Sequence, residues 1–107
     1  MRVVVSAVLL SIASSVGAQD LKAKGEQVYA AQKCSMCHSI AGVGNKKLPL
    51  DKVGAKLSPD QILEWIVAPA AAAAKAKSTA KPVMKAYPNL PKPDLDALVA
   101  YMKSLEK

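Results

Sequence analysis

Cys34, Ser35, Met36, Cys37 and His38 place two thiols three residues apart, with an imidazole directly after the second. Side chains at i and i+3 of a helical turn share a face, so both thiols can reach the two vinyl groups along one edge of a single porphyrin. Thioether bonds made there are permanent. The chain's only histidine then comes beneath the iron of the captured ring. This C-x-x-C-H spacing is that of a c-type haem attachment site, and it predicts one haem c bound through Cys34 and Cys37 with His38 on the iron.

Other chemistries of these residues fit less well. Zinc needs four ligands, and the chain has no further Cys or His. A thioredoxin-like redox pair belongs beside a strand–helix–strand pattern, whereas this sequence is dominated by Ala, Lys and Leu with no convincing run of strands. A disulfide would close a very small loop.

The far face of the iron can stay empty, take a small ligand or take a side chain. Met1 falls in the expected leader, Met36 lies between the attachment cysteines, and Met102 falls on the apolar stripe of the last helix. Met84, 46 residues after His38 in a proline-braced loop, is the methionine placed to cross the ring. Lys81 or Lys85 is the lesser alternative.

The elements that must position these groups read as helices. Leu21 to Gln32 carries Leu21, Gly25, Val28 and Tyr29 at three- and four-residue spacing and leads into Cys34. Gly25 costs about 1 kcal/mol in a helix relative to Ala, which predicts a close approach by the last helix, with Leu98 and Tyr101 meeting Gly25 and Tyr29. His38 to Lys56, rich in Gly, Asn and Pro, reads as loop. Ser58 opens a second helix as its N-cap, with Pro59 at the first position and Gln61 completing a capping box; Ile62, Trp65 and Ile66 are its buried stripe, and Pro69 marks a break. Ala70 to Ala80 reads as a short surface helix or a wrapping segment. Pro82, Pro88 and Pro91 fix the loop around Met84 and Tyr87, and Pro93 starts a last helix with Leu95, Leu98, Val99, Met102 and Leu105 on one stripe.

The ends and the charge place the chain. Arg2 precedes an apolar segment, Val3–Val16, followed by an A-x-A-like signal at Val16, Gly17 and Ala18. That predicts a signal peptide over 1–18 and a single domain over 19–107. The 14-residue segment, interrupted by Ser6, Ser11, Ser14 and Ser15, is short of the about 20 apolar residues of a membrane span, and the residue directly after the expected cleavage site is Gln19, not a Cys that could carry a lipid anchor. After residue 18 the chain holds 14 lysines against 8 acidic residues, a formal charge of +6 with no arginine. Such a balance suits an acidic protein partner, and with export and no known nucleic-acid motif it argues against nucleic acid. With no Phe, one Trp and three Tyr, so short a domain buries a limited core of its own; the apoprotein is expected to be largely unfolded.

The order of a glycine and aromatic helix, C-x-x-C-H, a Pro-containing loop, a Trp-bearing helix, the run Lys81-Pro82-Val83-Met84-Lys85-Ala86-Tyr87-Pro88-Asn89-Leu90 and a final helix holding Tyr101 resembles class I cytochrome c of bacterial type. The resemblance covers essentially all of residues 19–107. It implies an all-α cytochrome c fold, three to five short helices wrapped around one covalently bound haem, with His38 and Met84 as axial ligands. It further implies that the carbonyl of Pro49 accepts the other imidazole N–H of His38 and that Trp65 or Tyr87 lies near the propionates; Leu48 stands where the family commonly has a glycine. Attachment of this kind is completed outside the bacterial cytoplasm, so a periplasmic location is expected.

With both axial positions filled, iron changes oxidation state with no open site for a substrate. The expectation is a monomeric electron carrier, not an enzyme, docking transiently with acidic redox proteins through Lys33, Lys46, Lys47, Lys81 and Lys85 near the haem edge. The alternatives are a haem c subunit of a larger periplasmic oxidoreductase and a ligand-binding haem protein with an open sixth position, which carbon monoxide would reveal.

Overall fold

The computed structural model describes residues 17–107; the segment Val3–Val16, on which the signal-peptide expectation rests, lies outside the described residues. Five α-helices occur among them: α1 (Ala18–Ala31), α2 (Val53–Lys56), α3 (Pro59–Val67), α4 (Pro69–Ala76) and α5 (Lys92–Lys103). A single 3-10 turn at Cys34–Met36 and an antiparallel ribbon, β1 (Ser39–Ile40) with β2 (Val43–Gly44), lie between α1 and α2.

The main packing is α1 against α5, and Gly25 permits it. A Cβ at Gly25 would collide with the carbonyl of Ala97 and lie 2.5 Å from Tyr101 Cβ, so only a residue without a side chain lets the backbones meet. One turn further on, the rings of Tyr29 and Tyr101 pack with centroids 5.8 Å apart and tilted by 47°. Leu98 joins the same buried cluster, as expected, and Ala97, absent from the expected stripe, is fully buried at the crossing. Lys24 and Asp94 form an ion pair across these helices at 3.4 Å; exposed pairs contribute about 0–1 kcal/mol, so apolar interdigitation carries the interface.

The start of α3 is as its sequence predicts. Ser58 Oγ accepts from the Gln61 N–H at 3.2 Å, Gln61 Oε1 accepts from the Ser58 N–H at 2.8 Å, and Pro59 occupies the first turn. Ile62 and Ile66 are buried, with Trp65 half-buried beside them. After the break at Ala68, the Ala- and Lys-rich stretch forms α4, which buries Pro69 and Ala72 and is tied back to α3 by Lys75 Nζ donating to Glu64 Oε2 at 2.9 Å. Residues 80–91 form neither helix nor strand.

The stretch from His38 to Lys56 is more ordered than a plain loop. Ala41 and Gly42 both adopt positive φ, 51° and 78°, the geometry of a tight hairpin turn, and α2 adds a helical turn. Strands of two residues are too short to register as alternation in sequence. Lys33 also has a left-handed backbone, φ 56°, and ends α1 where a glycine would be the usual signal. Among the described residues no helix is long and apolar enough to cross a membrane.

Candidate functional site

The buried residues of α3 and α5 pack into one cluster and present one side of it to an open space. Ile62, Ile66, Leu98 and Met102 line a cavity of about 480 Å³, within the range of pockets that hold small molecules and cofactors. Cys34, Cys37, His38 and Met84 line the same cavity, so every site residue singled out from the sequence reaches one space.

Each arrives on a different kind of support. The left-handed Lys33 turns the chain out of α1 into the 3-10 turn, whose bonds run from the Cys37 N–H to the Cys34 carbonyl at 3.2 Å and from the His38 N–H to the same carbonyl at 3.0 Å. This tight turn leaves both thiols free, Cys34 half-buried and Cys37 exposed. Burial pushes the Cys34 thiol up, an effect opposed by its own backbone N–H and reinforced by Cys37. This is the reverse of the lowered thiol that a redox-active dithiol uses.

His38 is oriented through its ring. Nδ1 lies 3.0 Å from the carbonyl oxygen of Leu48; a carbonyl can only accept, so the proton sits on Nδ1 and Nε2 keeps its lone pair for a metal. The acceptor is Leu48 and not Pro49, a correction to the expectation drawn from the resemblance. The reason is local: Ser39 pairs with Pro49 as a bridge, and its carbonyl accepts from the Leu50 N–H at 2.9 Å. That register turns the Leu48 carbonyl toward the imidazole.

Asn45 closes the other side of the turn. Its backbone N–H lies 3.0 Å from the carbonyls of both Ser35 and His38, and its Nδ2 donates to the Met36 carbonyl at 3.1 Å. Gly44, at φ 104°, brings the chain close enough; a Cβ there would collide with the His38 carbonyl and lie 3.1 Å from that of Ser35. In the sequence both residues fall within the Gly-, Asn- and Pro-rich stretch that reads as loop. The Asn one residue after a Gly was the available signal, and it points to a turn without naming what the turn touches.

Met84 is half-buried on a strap, residues 80–91, held where the Tyr87 N–H donates to the Ile66 carbonyl at 2.9 Å and the Tyr87 hydroxyl lies 3.5 Å from the Gln32 carbonyl. Met102 also lines the cavity but is 6 % exposed within the core, whereas Met36 is 69 % exposed and lies away from it. Trp65 and Tyr87 are on the wall, as are Lys33, Lys81 and Lys85; Lys46 and Lys47 are exposed residues outside it.

These features fit a haem. The interior is apolar where a macrocycle would lie, two thiols stand at one margin, and one imidazole nitrogen is free. Tyr29, also on the wall, has a buried hydroxyl with no hydrogen-bond partner among the described residues, and its pKa is pushed up to about 12, by burial first and then by Cys34, Tyr101 and Asp51. A buried orphan of this kind calls for an explanation, and a bound group with polar substituents offers one.

Comparison with known proteins gives one finding. A family model described as Cytochrome c matches residues 22–106. No curated protein and no solved structure matches the chain.

Proposed function

The chain belongs to the cytochrome c family, whose members carry covalently attached haem c in an electron-transfer role, and from that premise we propose that it is an exported one-electron carrier with no enzymatic activity of its own. Cys34 and Cys37 would hold the haem covalently, and His38 Nε2 and Met84 Sδ would ligate its iron. The single observation behind this reading is that two thiols, a ring-oriented imidazole and a strap methionine all line one apolar cavity.

Haem c, when bound, supplies the ferric–ferrous couple. The chain does the rest. The Leu48 carbonyl holds the imidazole by its Nδ1, and a hydrogen bond there raises the basicity of a ligating ring nitrogen. A thioether ligand in an apolar setting favours the ferrous form and raises the potential. With His38 and Met84 both on the iron, no open position would be left for a substrate. The Val3–Val16 segment supports export to the periplasm, and the lysine excess supports transient docking with acidic redox proteins.

Visible spectra of the purified protein, oxidised and reduced, test this together with the extractability of the haem. A low-spin spectrum, a weak far-red sulfur-to-iron band in the ferric form, and haem that stays with the polypeptide through denaturation and acidic organic extraction are expected. Haem that washes out would overturn the attachment, and carbon monoxide binding readily to the reduced protein would overturn the sixth ligand.

A further inference from the structure

We propose that Asn45 is a positioning residue for the iron-ligating imidazole, holding the main chain of the attachment turn while Leu48 holds the ring. The inference rests on the assignment of His38 as the proximal ligand and deepens it.

The 3-10 turn satisfies few of its own carbonyls. Those of Ser35, Met36 and His38 accept no bond from within it, and at this exposed margin either water or another residue serves them. A single residue supplies all three: the Asn45 N–H is shared between Ser35 and His38, and Nδ2 reaches Met36. The side chain is itself locked, because Asn45 Oδ1 accepts from the Lys47 N–H at 3.0 Å, an Asx turn. With Oδ1 committed to Lys47, Nδ2 must face Met36. Only a side chain that both donates and accepts at this length can do this; Asp would keep the Lys47 contact and lose the Met36 one.

The same Asx turn sets the span to the second anchor. Leu48, whose carbonyl accepts from His38 Nδ1 at 3.0 Å, follows Lys47 directly. Residues 45 to 48 thus form a short brace that grips His38 twice, at its carbonyl and at its ring, and Asn45 fixes both the seat and the length of that brace.

The test uses the haem-loaded protein and three variants, Asn45→Ala, Asn45→Asp and Lys46→Ala, the last removing a neighbouring side chain that makes none of these bonds. Readouts are the hyperfine-shifted proton signals of His38 in the ferric protein, solvent exchange of its Nδ1 proton, and the far-red sulfur-to-iron band. Asn45 is exposed and water competes for its partners, so shifts and not losses are expected. In Asn45→Ala the His38 signals should move and Nδ1 exchange should quicken severalfold; in Asn45→Asp, which keeps the Asx turn and loses only the Met36 contact, the His38 signals should move less and Nδ1 exchange should stay closer to wild type. The sulfur band should stay in both, and Lys46→Ala should match wild type. Unmoved His38 signals, a lower melting temperature without any change at His38, or equal effects from Lys46→Ala would each overturn the role of Asn45. A wild-type protein whose iron is not bound by His38 would instead overturn the ligand assignment, and this inference with it.

Discussion

Met84 and Met102 put two thioether sulfurs on the wall of one cavity, and they differ in how each is held. Met102 is packed among Ile62, Ile66 and Leu98, so drawing it toward a metal would empty the core. Met84 sits on a strap that can present its sulfur without disturbing a helix. Met84→Ala should therefore abolish the far-red sulfur band and leave the haem attached. Met102→Ala should keep the band and cost about 2–5 kcal/mol of stability, the usual range for truncating a buried methionine. The reverse pattern in spectra and denaturant midpoints would move the ligand to α5. Tyr29 gives a second prediction at this scale. Its phenol, pushed up to about 12 in the fold, ionises near 10 in an unfolded chain, so between these values the native state binds more protons. Stability should fall as pH rises from about 10 to about 12. The decline should be shallower in Tyr29→Phe; equal slopes by chemical denaturation would assign it to another group. Residue type and spacing single out Cys34, Cys37, His38 and Met84, and the structure brings all four to one cavity. The Leu48 acceptor was not legible in this way, because a backbone carbonyl carries no sequence signature and its direction depends on the Ser39–Pro49 register.

Helix α1 is the element where propensity and packing disagree, which makes it a useful test. An alanine in place of Gly25 would be worth about 1 kcal/mol to an isolated helix. In the fold it would drive a methyl group into the Ala97 carbonyl and Tyr101 Cβ, and overpacking of this kind costs about 1–3 kcal/mol. Gly25→Ala should destabilise the protein, lowering the melting temperature by roughly 4–8 °C for each kcal/mol lost in a domain of this size. A raised melting temperature would mean that the α1–α5 crossing is looser than described. The close approach could be read in advance because a glycine in a helix interior has a cost that something must offset, and Tyr29 lay one turn away to show which face. Ser58 and Gln61 announced α3 because a capping box is local. The β1–β2 hairpin gave no such notice: its turn uses Ala41 at positive φ in place of Asn or Gly, and its two-residue strands hold through partners outside themselves. Leu50 bonds to Ser39, and Asp51 Oδ1 accepts from the Ala41 N–H at 2.6 Å.

At the scale of the whole molecule the lysine excess matters for where it lies. Lys33, Lys81 and Lys85 stand on the cavity wall, and Lys46 and Lys47 outside it. If docking is steered toward the haem edge, charge reversal should matter more on the wall than elsewhere at equal change in net charge. Lys33→Glu or Lys85→Glu should lower the bimolecular rate with an acidic redox partner at low salt more than Lys22→Glu, on the exposed face of α1, and should leave the haem spectrum unchanged. Steering acts on encounter more than on bound affinity, and transient redox interfaces are small, so the effect belongs in the association rate. It should fade as ionic strength approaches about 0.15 M, where the Debye length is about 8 Å and attraction before contact is heavily screened. Stopped-flow rates across a salt series separate the outcomes. Equal losses from all three reversals would assign steering to net charge, and rates indifferent to salt and substitution alike would remove the lysines from docking and favour a cytochrome held permanently within a larger oxidoreductase.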